Sequence, residues 1–334
     1  MLDERKAAIL RAVVEEYIET AQPVGSGHVA DAEGVSVSSA TVRNDMVALE
    51  QEGYLRQPHT SAGRVPTDKG YRFFVDHFAV PVRLDAATAQ QVRSFFDRAH
   101  GELEQVLQRT TQLLSNLTAH AAVVVGPPHE VATVRSVQLV GLASRVALLV
   151  AVLSNGVIEK FVVDLDDDTG EERIGAASAH LAAHLTGHSL MTPPPIPRTG
   201  DPATDATVGA AVHAMTAPDP EHDAEHVYVG GASKMASAFD AVETVRSVLG
   251  TLEEQLVVVT LLKDIIDRGL NVAIGTEHGV VPLAECSVVV APYEVEGEPG
   301  GAIGLLGPTR MNYSQALAAV ALVSQRLGRR LTEG

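Results

Sequence analysis

The chain has 334 residues, 46% hydrophobic and 20% charged, with a formal net charge of −17. It is long enough for two or three domains, and too acidic for its whole surface to attract nucleic acid. One cysteine, Cys286, excludes an intramolecular disulfide framework and fits a reducing compartment, and 4% aromatic residues with no tryptophan make stacking on single strands a poor basis for function.

Residues 3–20 predict a helix, because Ile9, Leu10, Val13, Val14, Tyr17 and Ile18 recur at three and four. No apolar signal core follows Met1, and the longest apolar runs, such as 146–153, are too short for a bilayer. The expectation is a cytoplasmic protein with no membrane partner. Pro23 and Gly25 break the first helix, Ser26 caps a short second one through about Asp31, and Gly34 ends it. Ser38 caps a third, which Gly53 stops. Tyr54–Gln57 and Arg64–Pro66 then form extended pieces around a Thr-Ser-Ala-Gly turn, and Thr67 caps a helix carrying Tyr71, Phe73, Phe74, Val75 and Phe78. Three helices and a ribbon is the order of a winged helix-turn-helix.

After a linker at Val80-Pro81-Val82, residues 86–119 read as one long helical pattern. β-Branched runs at 134–142, 146–153 and 157–165 predict strands, with Asn155-Gly156 as a hairpin turn, and 176–185 predicts a helix. Pro193-Pro194-Pro195 and Pro197 mark a boundary, and 203–225 is polar with weak periodicity. A strand at 227–230, helix over 235–267, strands at 272–275, 287–293 and 301–306, and a closing helix at 313–331 complete the chain. The strands before 166 and after 271 read as halves of one sheet, in an α/β sensor-like domain interrupted by a helical insert.

On the third helix, Val42, Met46 and Leu49 share a narrow arc toward the core, while Ala40, Asn44 and Val47 lie opposite with Ser39 and Arg43 beside them. Small apolar groups meet a thymine methyl, Asn bridges adenine and Arg bridges guanine. An ordinary capped surface helix would show the same face, so the helix alone decides nothing. The ribbon adds to it. Arg56 and Arg64 flank the turn, His59, Thr60 and Ser61 offer donors to phosphate, and Gly63 permits a positive φ or a close backbone approach. Between Gly53 and Val75, Arg56, Arg64, Lys69 and Arg72 face only Asp68, a local reversal of the overall charge. The reading is therefore base contact from Ser39, Ala40, Thr41, Arg43, Asn44 and Val47. Phosphate contact falls to His59, Thr60, Ser61, Gly63, Arg64, Lys69 and Arg72.

The sequence resembles the HrcA family of heat-inducible transcription repressors. The resemblance lies in Glu15-Glu16-Tyr17-Ile18, Pro23-Val24-Gly25-Ser26, Ser38–Met46, Leu49-Glu50, and Pro58–Gly63 running into Gly70-Tyr71-Arg72. It resumes in Val229-Gly230-Gly231-Ala232, Ala291-Pro292-Tyr293 and Ile303–Tyr313, while 193–225 shows no matching motif. It implies an α+β multidomain protein: a winged helix-turn-helix over 1–80, and a GAF-like α/β domain over 84–190 and 269–334, interrupted by a mostly helical dimerising domain over 191–268. It also implies a homodimer on an inverted-repeat operator of double-stranded DNA upstream of chaperone genes, without enzymatic activity or cofactor. The GroEL chaperonin would keep the repressor active, with repression lapsing on heat stress.

Other patterns have plainer readings. His222-Asp223-Ala224-Glu225-His226 matches an inverted zinc-protease motif, but Pro218 and Pro220 before it and a strand after it leave little room for the helix that zinc ligation needs. It is the basis of a rival reading as a zinc hydrolase; a second rival is a regulator whose sensor domain answers to a small molecule. Gly300–Gly307 is strand-like and lacks a following Gly-Lys-Ser/Thr, so it reads as close packing of backbone at a sheet edge, or a tight turn, rather than a phosphate loop. Cys286 reads as a buried thiol, Asp164 and Asp166–Asp168 as a solvated turn, and Arg310 with Tyr313 as a possible pocket lining or the start of the last helix.

Overall fold

A computed structural model describes residues 2–60, 62–99, 103–127, 132–154, 156–165, 169–190, 192–216, 227–235, 239 and 242–333. The readings placed on Ser61, Asn155, 166–168 and the His222–His226 segment lie outside these residues. Helix α1 (Glu4–Thr20) starts at Asp3, whose carboxylate accepts the Lys6 N–H at 2.8 Å, and it buries Ile9, Leu10, Val13 and Val14. α2 (Ser26–Ala30) has Gly25, not Ser26, at its N-cap; the Ser26 hydroxyl instead lies 3.1 Å from that of Ser39. α3 (Ser39–Gln51) is capped by Ser38, whose Oγ accepts the Thr41 N–H, and it buries Val42, Met46 and Leu49 as its spacing requires.

Strands β1 (Leu55–Arg56) and β2 (Val65–Pro66) pair antiparallel, Leu55 opposite Pro66. Thr67 then caps α4 (Asp68–Phe78), accepting the Gly70 N–H and donating to the Gly53 carbonyl at 2.7 Å. One hydroxyl thereby ties the end of α3 to the start of α4.

The helical pattern over 86–119 resolves into two helices, α5 (Ala86–Arg98) and α6 (Leu103–Thr118). Strand β3 (Ala121–Val125) follows, entirely buried. Next come β4 (Val134–Ala143), β5 (Val146–Leu153) and β6 (Ile158–Asp164), then α7 (Glu171–Leu185) and α8 (Pro202–Thr216). The chain continues through β7 (Val227–Gly230), α9 (Ala232–Met235), α10 (Val242–Glu253), α11 (Gln255–Asp267) and β8 (Val272–Ile274). It closes with β9 (Cys286–Val295), β10 (Glu298–Pro308) and α12 (Tyr313–Glu333).

These strands make an α+β fold with every pair antiparallel. The larger sheet runs β7-β3-β10-β9-β8. One face packs on α6 and α12 through Leu107, Leu114, Val124, Val289, Ile303 and Val320; this core continues without a break into the first eighty residues. The other face packs on α10 and α11 through Val123, Val248, Val258, Leu262 and Val290. Within Gly300–Gly307, β10 pairs on both sides over Ala302–Leu306.

The expected division of the chain needs correction. β4, β5 and β6 do not join the larger sheet. They form their own, with α7 and α8 over one face and a separate core of Leu149, Leu153, Leu181, Leu185 and Ala211. The insertion between β3 and β7 therefore lies within 132–216, not 191–268, and it carries strands as well as helices. The helices over 242–267 belong instead to the larger sheet, whose second face they cover. No helix of the described residues is long and apolar enough to cross a membrane.

Candidate nucleic-acid interface

The outer face of α3 is as the sequence predicts. Ser39, Ala40, Arg43 and Asn44 are exposed, and Val47 is 37% exposed. Thr41 is half-buried, its hydroxyl 3.0 Å from that of Ser38. On the inner face Asp45 is buried, and Arg5 of α1 donates to both its oxygens, at 2.8 and 3.3 Å. A buried carboxylate is tolerated only when paired in this way, so this contact holds α3 at a set angle to α1. No spacing signal announces it, since 40 residues separate the partners.

The ribbon tip is braced by Gln57, whose side-chain amide donates to the Thr60 and Ala62 carbonyls at 3.0 and 2.9 Å. His59 and Thr60 are exposed there. Gly63 has no positive φ; it serves by close approach. A Cβ at this position would stand 2.3 Å from the Val24 carbonyl oxygen, beside the bridge in which Val24 and Arg64 exchange backbone hydrogen bonds at 2.9 Å.

Two of the expected phosphate contacts are engaged inside the fold. Arg64 donates from Nε to Glu50 at 2.9 Å, and its side chain is only 15% exposed. Arg72 donates to both oxygens of Glu277, to Asp76 at 3.2 Å and to the Val272 carbonyl at 2.7 Å. Its pKa is raised, first by the hydrogen bond to Glu277. Lys69 remains exposed, over the Tyr54 ring at 4.3 Å, with its ammonium donating to the Glu52 carbonyl at 2.8 Å. Arg56, counted in the charge but not among the contacts, is exposed with no ion pair among the described residues.

Arg72 links α4 to the larger sheet, and Asp68 adds a second tie by accepting from the Thr276 N–H and hydroxyl, both at 3.1 Å. Burial pushes the Glu277 carboxyl up, but the Arg72 hydrogen bonds, the Ile274 N–H and the charges of Arg72 and Arg268 outweigh it, so the net displacement is downward. The remaining singled-out residues sit elsewhere. Tyr313 is fully buried at the head of α12, and Arg310 lines a cleft beside α4. Burial, helped by Glu285, pushes the Cys286 thiol up to about 12. Among the described residues no three His, Cys, Asp or Glu side chains form a group able to hold a metal ion.

The family model described as the HrcA protein C terminal domain matches residues 104–317. The heat-inducible transcription repressor HrcA of Nocardioides sp. is 40% identical, and that of Streptomyces avermitilis 37% identical, each over 100% of both chains. A crystal structure described as that of a hypothetical protein at 2.2 Å resolution superposes with a TM-score of 0.70, at 24% identity over 100% of this chain and 99% of that one; the likeness concerns the fold.

Two outcomes follow. Gly63→Ala presses a methyl into the Val24 carbonyl and should cost about 1–3 kcal/mol of stability, read by denaturant unfolding; an unchanged midpoint refutes the close-approach account. Because the folded Glu277 value lies below 4.5, its contribution is complete above that pH and is lost as pH falls through the folded value. The stability advantage of the parent over Glu277→Gln should hold at neutral pH and shrink on acidification below 4.5. A difference constant down to about pH 3 contradicts the linkage.

Proposed function

The chain belongs to the HrcA family of heat-inducible transcription repressors, and from that premise we propose that it represses as a homodimer binding an inverted-repeat operator through a winged helix-turn-helix in its first eighty residues. The observation that carries the reading is the outer face of α3, where Ser39, Ala40, Arg43, Asn44 and Val47 stand exposed on a helix locked from behind by Asp45 and Arg5. A rigid helix with short side chains and two long polar readers suits a major groove. Arg56, Lys69, His59 and Thr60 serve the flanking phosphates, and Arg64, Gly63 and Arg72 hold the geometry. The larger sheet with its helical layers is the GAF-like sensor domain of this reading.

The insert is assigned to dimerisation. Its sheet covers one face with α7 and α8, while the other leaves Leu142 60%, Val162 63%, Ile158 42% and Val140 39% exposed. Val140, Leu148 and Val162 lie side by side across the three strands. A contiguous apolar face of this kind on an acidic protein is a self-association surface. The remaining part of the proposal, that GroEL maintains the active repressor and heat withdraws it, rests on family membership alone and is tested by footprinting the host's chaperone promoters with and without chaperonin.

Asn44→Ala or Arg43→Ala should cost about 1–3 kcal/mol at one base pair and relax the preference there, whereas Arg56→Ala should weaken all sequences alike and lower the salt slope by about one. Equal base preference in all three variants, read by competition binding, refutes the assignment. Val162→Asp, at an exposed position, should sediment as a monomer and lose operator affinity on the order of a hundredfold; a dimer that persists moves the interface elsewhere.

A further inference from the structure

A cleft of about 650 Å³ separates α4 and β1 from the end of β10, and of its lining the DNA reading uses only Arg56 and Lys69. Its volume lies within the range of small-molecule sites, about 300–1,000 Å³. Its walls come from two bodies. Tyr17 and Pro66 stand on one side, Phe239 and Pro308 on the other, and these supply flat apolar surface.

Tyr71 forms part of the wall and is 2% exposed, and its hydroxyl has no hydrogen-bond partner among the described residues. Native folds leave few buried hydroxyls in that condition, and an unfilled ligand position is one cause. The contrast with its neighbour is direct. Tyr313, with its ring centroid 6.0 Å away, has its hydroxyl 2.8 Å from that of Ser287 and donates to the Thr309 carbonyl at 2.6 Å.

Charge selects the sign of the guest. Arg56, Lys69 and Arg310 line the cleft against Asp68 and Glu285. The Asp68 carboxylate is turned to Thr276, which donates to it twice. Arg310 is close enough to act electrostatically on the Tyr71 phenol.

We propose that this cleft binds a small organic anion, a flat ring bearing a phosphate or carboxylate, with the ring between the apolar walls and the anionic group taking the Tyr71 hydroxyl and the Arg310 and Lys69 charges. A guest touching both bodies fixes the angle between them, and so couples its own binding to the presentation of α3. The proposal rests on the cleft and not on the DNA reading, so a failure of operator binding leaves it standing.

The test is thermal unfolding of the full chain with ADP, AMP, benzoate or pyrophosphate, at ionic strength matched with sodium chloride. At least one ring-bearing probe should raise the Tm, by on the order of 5 °C at saturation. A response to the nucleotides assigns the phosphate form, and a response to benzoate the carboxylate form. Tyr71→Phe should leave the probe-free Tm equal or higher, because it removes the unpartnered hydroxyl, while weakening the probe about tenfold. Lys69→Gln should weaken it as well. No shift with any ring-bearing probe, an equal shift from pyrophosphate, or undiminished binding by both variants overturns the proposal.

Discussion

Arg72 stands where α4 meets the larger sheet, and the presentation of α3 depends on how its charge is satisfied. The guanidinium spans both oxygens of Glu277, the Val272 carbonyl and Asp76, so each acceptor belongs either to its own helix or to the strand and turn it faces. Half-buried charges of this kind are held by their full set of partners; removing one partner leaves the other unpaired. Asp68, one turn earlier, repeats the arrangement with its charge reversed by accepting from Thr276. Two opposite charges on one helix thus engage one turn of the sheet domain. That fixes sliding as well as separation, which a single ion pair would not do. The apolar core runs through the same junction, with Tyr71 against Tyr313.

What the sequence reveals and what it hides follow one physical line. Contacts within about a helical turn were legible: the Ser38 and Thr67 caps, the Val42, Met46 and Leu49 stripe, and the exposure of Ser39, Ala40, Arg43 and Asn44 opposite it. Period and capping are local quantities. Partnerships between distant positions left no local trace. Glu277 lies 205 residues from Arg72, and no spacing rule reaches that far. Arg64 and Arg72 look like available charge in the sequence for this reason, since net charge in a window ignores carboxylates that fold onto it. Ser26 was misjudged by one residue because Gly25 can take the extended N-cap conformation as well as serine can, and α2 has no side-chain cap.

The sheet topology was hidden for a related reason. β3 is a run of Ala and Val buried throughout, so it shows no alternation and resembles a stretch of helix core. Without it, the strands before 166 and after 271 read as halves of one sheet. β5 explains why the division was misplaced. Its sequence is apolar at nearly every position, yet in the fold its residues alternate between buried and half-buried. A strand that is greasy on both faces reads as the centre of a covered sheet. In this chain it is the centre of a sheet covered on one face, and the excess hydrophobicity is on the open one. The hydrophobicity that makes β5 resemble a covered strand thus marks the uncovered surface of its sheet.

Electrostatics ties that surface to the reading of DNA. In the first eighty residues Arg5, Lys6, Arg11, Arg64 and Arg72 each lie within an ion-pair distance of a carboxylate. Among the described residues Arg43, Arg56 and Lys69 do not, and all three are exposed. Each neutralised phosphate contributes about 0.9 to the slope of log affinity against log salt, so one head with three such cations binds only weakly at physiological salt. The molecule as a whole, at a net charge of −17, opposes it further. On the proposed reading, a protein of this charge gains specific affinity by joining two heads on one duplex, which doubles the phosphate contacts and makes the second engagement intramolecular. That requires a pairing surface on a part of the chain that does not compete with the head for DNA. The β4-β5-β6 sheet has a core distinct from that of the head, and on its open face the row of Val140, Leu148 and Val162 brings no charge to the proposed symmetric contact.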